Sequence, residues 1–219
     1  MKHIYVVLSA TPTRIGKMIR FLTRSAYNHA SISLTKDLSQ MYSFARYRAH
    51  NALVGGFIQE FPQRLTLGRE AEVQIKVFEI PVNEEQYSKI TEFIYKIRDD
   101  EEQCIYNSLA VLGRPFGWGC HTYKAYVCTD FVVKALMHGQ INLAQSMLAP
   151  MTPAEMERLL DPFLIFKGSL DEYHPAPVYN ESLIDDFFAK APLIHEFYST
   201  ALHFARLFFR AAKGRKLAG

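Results

Sequence analysis

Apolar positions along the chain recur with two periods, two and about 3.6, and the switches between them outline the elements. Residues 4–9 are β-branched or aromatic almost throughout and predict a buried strand. Thr11 and Pro12 supply an N-cap and a first-turn proline for a helix reaching about Thr23. In NHASISL (28–34) the alternation is clean: Ala30, Ile32 and Leu34 share one face, while His29, Ser31 and Ser33 share the other, expected to be the wetter one. After the turn-like KDLSQ, the segment MYSFARY (41–47) is the expected antiparallel partner strand. Gly55-Gly56 reads as a break before FIQEF, and VQIKVFEI (73–80) as the next strand.

Helical spacing begins at Asn83, an N-cap followed by Glu84, Glu85 and Gln86, with Tyr87, Ile90, Ile94 and Ile97 recurring up to the acidic DDEE. A shorter helical run, IYNSLAVLG, closes at Gly113. RPFGWGCHTYKAY (114–126) follows neither period and is read as a loop feeding directly into Cys128. Beyond it, TDFVVKALMHG places Phe131, Val132, Ala135 and Leu136 at helical spacing and stops at Gly139. Thr152, Pro153 and Glu155 spell an N-cap, a first-turn proline and a capping-box acid, and FLIFKG (163–168) is the last expected strand. The order β, α, β, β, β, α, α, α, β is that of an α+β domain, residues 1–173, with a largely antiparallel sheet packed against helices.

DEYHPAPVYN (171–180), with two prolines, reads as a tether to a C-terminal extension, 174–219. In that extension Ile194, Phe197, Tyr198, Ala201, Ala205, Phe208 and Ala212 mark one helical face, and His195, Glu196, Ser199, His203, Arg206, Arg210 and Lys213 the other. The expected role of this amphipathic helix with a basic end is to dock on the core. The alternative is an interfacial helix that contacts a membrane surface or a partner.

Composition narrows the function classes. A chain of 219 residues that is 49% hydrophobic and 21% charged can bury a full core, which excludes disorder for most of its length. A formal charge of +3, without basic runs interleaved with aromatics before the last few residues, gives no nucleic-acid surface. Three cysteines, at 104, 120 and 128, cannot all pair and lack CxxC spacing, so they are read as free thiols in a reducing compartment. The apolar run 4–10 is short for a signal peptide and leads into a capped helix, and the expected location is cytoplasmic.

The candidate chemistry is thiol-based. Cys128 falls in the first turn of its helix, where backbone N–H groups and the helix dipole favour a thiolate and can later donate to an oxyanion. His29, at a strand start with a strand partner after it, is the candidate base. A third group on the adjacent strand is expected to fix the imidazole; Ser43 is the first choice and Glu60 the fallback. Trp118, Phe116 and Tyr126 are candidate cleft-lining, substrate-binding residues. Cys120 and His121 are adjacent, which suits neither a metal clip nor a dyad, so no metal site is expected. The glycine pairs precede no helix in a phosphate-cradling pattern, and no cofactor is implied.

His before Cys, NHASISL followed by QMYSFARY and GGFIQE, YVCTDFV at a helix start and TPAEM afterwards together resemble the circularly permuted relatives of NlpC-type cell-wall peptidases, within the papain-like superfamily. The resemblance covers roughly residues 1–173. It implies a papain-like fold and a cysteine hydrolase of amide bonds in a small peptide-like substrate, with Cys128 as nucleophile, His29 as base and a polar residue of the next strand orienting the ring. Relatives with the same order include acyltransferases of the lecithin retinol type, so a lipid acyl substrate is the alternative. A non-catalytic binding module on the same fold is the other. The chain departs from the pattern at Ser43, where relatives carry His, Asn, Gln or Glu.

Overall fold

The strand-forming segments assemble into one eight-stranded sheet, seen in a computed structural model that describes residues 1–13, 16, 17, 20, 21, 25–100, 102–113, 122–143, 151–175 and 181–218, with the side chains of 112, 181 and 215–218 excepted. In chain order the strands are β1 (Lys2–Ser9), β2 (His29–Ser33), β3 (Met41–Arg48), β4 (Asn51–Glu60), β5 (Gln74–Val82), β6 (Ile105–Tyr106), β7 (Ala125–Tyr126) and β8 (Leu164–Ser169). Their order across the sheet is β7-β6-β4-β3-β2-β1-β5-β8. Neighbours are antiparallel except the short β6–β7 pair, which is parallel. The α-helices whose bounds fall among the described residues are α1 (Pro62–Thr66), α2 (Glu84–Arg98), α3 (Ser108–Gly113), α4 (Cys128–His138), α5 (Pro153–Leu160), α6 (Leu170–Tyr173), α7 (Glu181–Phe188) and α8 (Leu193–Ala218). The fold is α+β, as the order of elements predicts.

Side-chain alternation divides the core into two layers. Ile4, Val6, Leu8, Ala30 and Ile32 meet α2, α4 and α5 through Ile90, Ile94, Phe131, Leu136 and Leu160. On the opposite face Tyr5, Val7, Met41, Ile75 and Val77 meet Leu38, Leu65 of α1 and Leu170 of α6. Phe131 sits at the centre of the first layer, with Phe44, Phe57 and Phe93 rings at 5.3, 5.7 and 6.2 Å. Truncating so enclosed a ring to Ala costs about 3–5 kcal/mol.

Covering both faces has a consequence at β2, whose five residues are all buried, so the polar face of His29, Ser31 and Ser33 is not the wet one that alternation predicts. A central strand roofed on both sides hides polar residues as well as apolar ones, provided each finds a partner. Ser33 Oγ, for instance, donates to the Thr35 carbonyl at 2.8 Å.

Capping follows the sequence closely at α2 and α5, where Asn83 with Gln86 and Thr152 with Glu155 form reciprocal capping boxes. Elsewhere the structure departs from the sequence reading. Of the helix expected over 11–23, residues 16, 17, 20 and 21 are helical and 11–13 are not, and the rest lies outside the described residues. Thr13, not Thr11, takes the capping position and accepts from the Gly16 N–H at 2.7 Å.

The expected break at Gly55-Gly56 is absent. Strand β4 runs through both glycines, because a Cβ at Gly55 would overlap the Ala45 carbonyl and one at Gly56 the Tyr47 hydroxyl. At Gly55 only glycine admits so close an approach of the β3 backbone. Ile105–Tyr106, read as helical, is strand β6, and 125–126, read as loop, is strand β7. The tether at 171–180 contains helical residues in α6, and 176–180 lie outside the described residues.

The C-terminal extension docks on the core. Phe187 of α7 packs edge-on to Phe61 at 6.1 Å and is buried, and Leu207 of α8 is fully buried beside Ile105 and Ala125. Among the described residues no helix is long and apolar enough to cross a membrane.

Candidate active site

His29 opens β2 directly opposite Ser9, at the point where the chain returns from β1. Its predecessor holds that return in place: Asn28 Nδ2 donates to Thr11 Oγ1 at 2.8 Å and the Asn28 backbone N–H to the Ser9 carbonyl at 3.1 Å. Cys128 arrives from the other end of the sheet. The Asn107 N–H donates to the Tyr126 carbonyl at 2.9 Å, which lines β7 up with β6, and Cys128 is then the first residue of α4. The N-cap is Val127, whose side chain makes no capping bond, so no capping oxygen competes at the positive end of the helix. One residue on, Thr129 Oγ1 donates to the Met151 carbonyl at 2.7 Å and ties down that first turn.

These two distant segments meet. His29 Nε2 donates to Glu60 Oε1 at 2.7 Å, and the ring also hydrogen-bonds Cys128. With Nε2 committed to the carboxylate, Nδ1 is the nitrogen left for the thiol. Glu60 is 2% exposed and His29 9%. Burial works against charge on the ring, but hydrogen bonds to Cys128 and Glu60, together with their charges, outweigh it and push the His29 pKa up to about 10. Burial likewise opposes the charge on Glu60, yet His29 and Arg64 hold its pKa below the usual carboxylate value.

Glu60, rather than Ser43, is therefore the group that fixes the imidazole. Ser43 is fully buried on β3 and its hydroxyl donates to the Ala30 carbonyl at 2.8 Å, a bond within the sheet. Adjacency in the sheet pointed to Ser43; the longer Glu side chain, at the far end of β4, is the one that reaches the ring. Arg64, four residues after Glu60 on α1, backs the carboxylate with Nε at 3.5 Å from Oε2. Its guanidinium also donates to the Arg46 carbonyl and stacks on the Phe187 ring at 4.1 Å, so the C-terminal extension contributes to the wall behind the site.

A cavity of about 70 Å³ opens beside this group, lined among others by Asn28, His29, Glu60, Arg64, Tyr106 and Ser108. Ser108 Oγ is buried there with no hydrogen-bond partner among the described residues. Tyr126, expected in the cleft, instead packs its ring against Phe44 at 5.1 Å with Lys134 Nζ above it at 4.8 Å. Trp118 and Phe116, the other expected cleft residues, and the Cys120-His121 pair lie outside the described residues.

Cys104 is held in its protonated form: burial, then a hydrogen bond and charge from Asp100, push its pKa up to about 12. Among the described residues no group of three or more His, Cys, Asp or Glu side chains is placed to hold a metal ion. Sequence reasoning missed Arg64, Asn28, Tyr106, Ser108 and Phe187. A signal existed for Arg64 alone, the i, i+4 spacing from Glu60 across a helix start.

No protein-family model matches the chain, and no curated protein matches it.

Proposed function

We propose that the chain is a papain-like cysteine hydrolase that cleaves an amide bond in a small peptide-like substrate through a thioester on Cys128. The observation that carries this reading is the imidazole of His29, buried, hydrogen-bonded to the helix-start thiol and held from behind by an ionised Glu60. That is the arrangement a nucleophile, a base and an orienting group require.

In the reaction, the pair rests as a Cys128 thiolate and a His29 imidazolium, and the sulfur bonds to the substrate carbonyl carbon. The tetrahedral oxyanion collapses, the C–N bond breaks, and the His29 proton leaves on the amine. His29 next takes a proton from a water that attacks the thioester, the C–S bond breaks, and the carboxylic acid leaves with the thiolate and imidazolium restored. Glu60 remains a carboxylate throughout and stabilises the imidazolium whenever His29 carries the proton.

Chloroacetamide labelling followed by peptide mapping tests the reading. The wild-type chain should be labelled at Cys128 well below the free-thiol pKa of about 8.5. Cys104, with its raised pKa, should stay unlabelled. A folded Cys128→Ala protein should lose the labelling and any amidase activity on a peptide library. Labelling of wild type that maps to another thiol, or activity that survives in Cys128→Ala, overturns the proposal.

A further inference from the structure

Helix α8 docks by its polar side and presents its apolar side to solvent, the reverse of an ordinary surface helix. Thr200 Oγ1 accepts from Asn51 Nδ2 at 3.1 Å, and the buried ring of His203 sets its Nε2 at 2.9 Å from the Tyr106 carbonyl. The Arg210 guanidinium donates to the carbonyls of Glu102, Gln103 and Lys124, and Leu207 fills the space between these polar anchors. Glu196, the single acidic residue of the helix, is turned inward and accepts from Arg48 at 3.4 Å.

The opposite arc carries Leu193, Ile194, Phe197, Tyr198, Phe208 and Phe209, which are 64–88% exposed. At 100° per residue all six fall within one half of the helix circumference. Single exposed apolar residues are ordinary, whereas a contiguous stripe of six large ones marks a contact surface. Cations border the stripe or follow it: Arg206 is exposed on its flank, Lys213 stands over the Tyr123 ring at 4.4 Å, and Arg215 and Lys216 come next in the sequence.

We propose that this stripe is a docking surface for an anionic lipid bilayer, with α8 lying in the plane of the interface. Aromatic and aliphatic side chains bordered by cations, with the only carboxylate turned away, complement an apolar surface that carries negative head groups. A second copy of the chain is the poorer fit, because pairing two such helices would bring like charges together. The proposal is independent of the chemistry at Cys128.

Sedimentation of the full chain with vesicles tests it, using phosphatidylcholine alone and phosphatidylcholine mixed with phosphatidylglycerol. Binding should appear with the mixed vesicles, weaken as salt is raised, and be unchanged in Cys128→Ala. Combining Phe197→Ser, Phe208→Ser and Phe209→Ser should weaken binding by at least about tenfold while leaving the circular dichroism spectrum intact, since these rings meet solvent. A Phe197→Trp protein should show a blue-shifted emission with the mixed vesicles. No binding to the mixed vesicles, equal binding by the triple variant, or a lipid-free dimer that the triple substitution converts to monomer overturns the proposal.

Discussion

Replacing Glu60 by Gln removes one negative charge and keeps a side chain of the same length in place. In the folded chain that carboxylate lies 2.7 Å from His29 Nε2, and both groups are buried. With charge centres about 4 Å apart and an effective dielectric constant of about 20, their attraction is about 4 kcal/mol. That corresponds to roughly a thousandfold in the affinity of the ring for its proton. The Gln carbonyl still accepts from Nε2–H, which trims the loss to on the order of a hundredfold. A less basic imidazole is a weaker partner for a thiolate, so the pH midpoint of Cys128 alkylation should move up toward the free-thiol value of about 8.5. Rates of iodoacetamide labelling, followed by intact mass across the pH range, measure the midpoint. A folded Glu60→Gln protein with the wild-type midpoint would refute the argument that Glu60 sustains the imidazolium.

The same pair makes stability depend on pH, with a sign fixed by the two shifts. His29 is raised from 6.5 to about 10, so its contribution is full below 6.5 and is lost as the pH climbs through about 10. Glu60 is lowered from 4.5, so its contribution is full above 4.5 and is lost as the pH falls through the depressed value. The pair therefore stabilises the fold fully between pH 4.5 and 6.5, and Glu60→Gln should flatten both limbs of the stability profile. Ser43→Ala removes a hydrogen bond inside the sheet and should cost about 1 kcal/mol in denaturant titration, with the alkylation midpoint unchanged. Arg64→Met leaves Glu60 with one partner fewer and strips the stacking partner from Phe187. It should destabilise by about 3 kcal/mol, and hydrogen exchange over residues 181–188 should accelerate. Gly55→Ala drives a methyl group into the Ala45 carbonyl and should lower stability by about 1–3 kcal/mol, read from the thermal midpoint.

Local rules were legible in the chain because they act over a few residues. The capping boxes at Asn83 and Thr152, the helix start at Cys128 with its stop at Gly139, and the strand character of 4–9, 29–33 and 74–80 follow from spacing and cap chemistry. The pairing of His29 with Cys128 was also inferable, from the residue types and their positions at element starts. The tertiary structure decided what depends on reach and on coverage. Glu60 rather than Ser43 holds the ring because side-chain length and sheet geometry, not adjacency of strands, settle which oxygen arrives at 2.7 Å. β2 buries its polar face because a second layer covers it, and β4 continues through Gly55 and Gly56 because it pairs with β3, whose backbone at Ala45 leaves no room for a Cβ on Gly55. The two faces of α8 can be read from the sequence, but the side that docks is set by the carbonyls and the Asn51 amide on the core, which bind its polar groups and leave its apolar stripe to solvent.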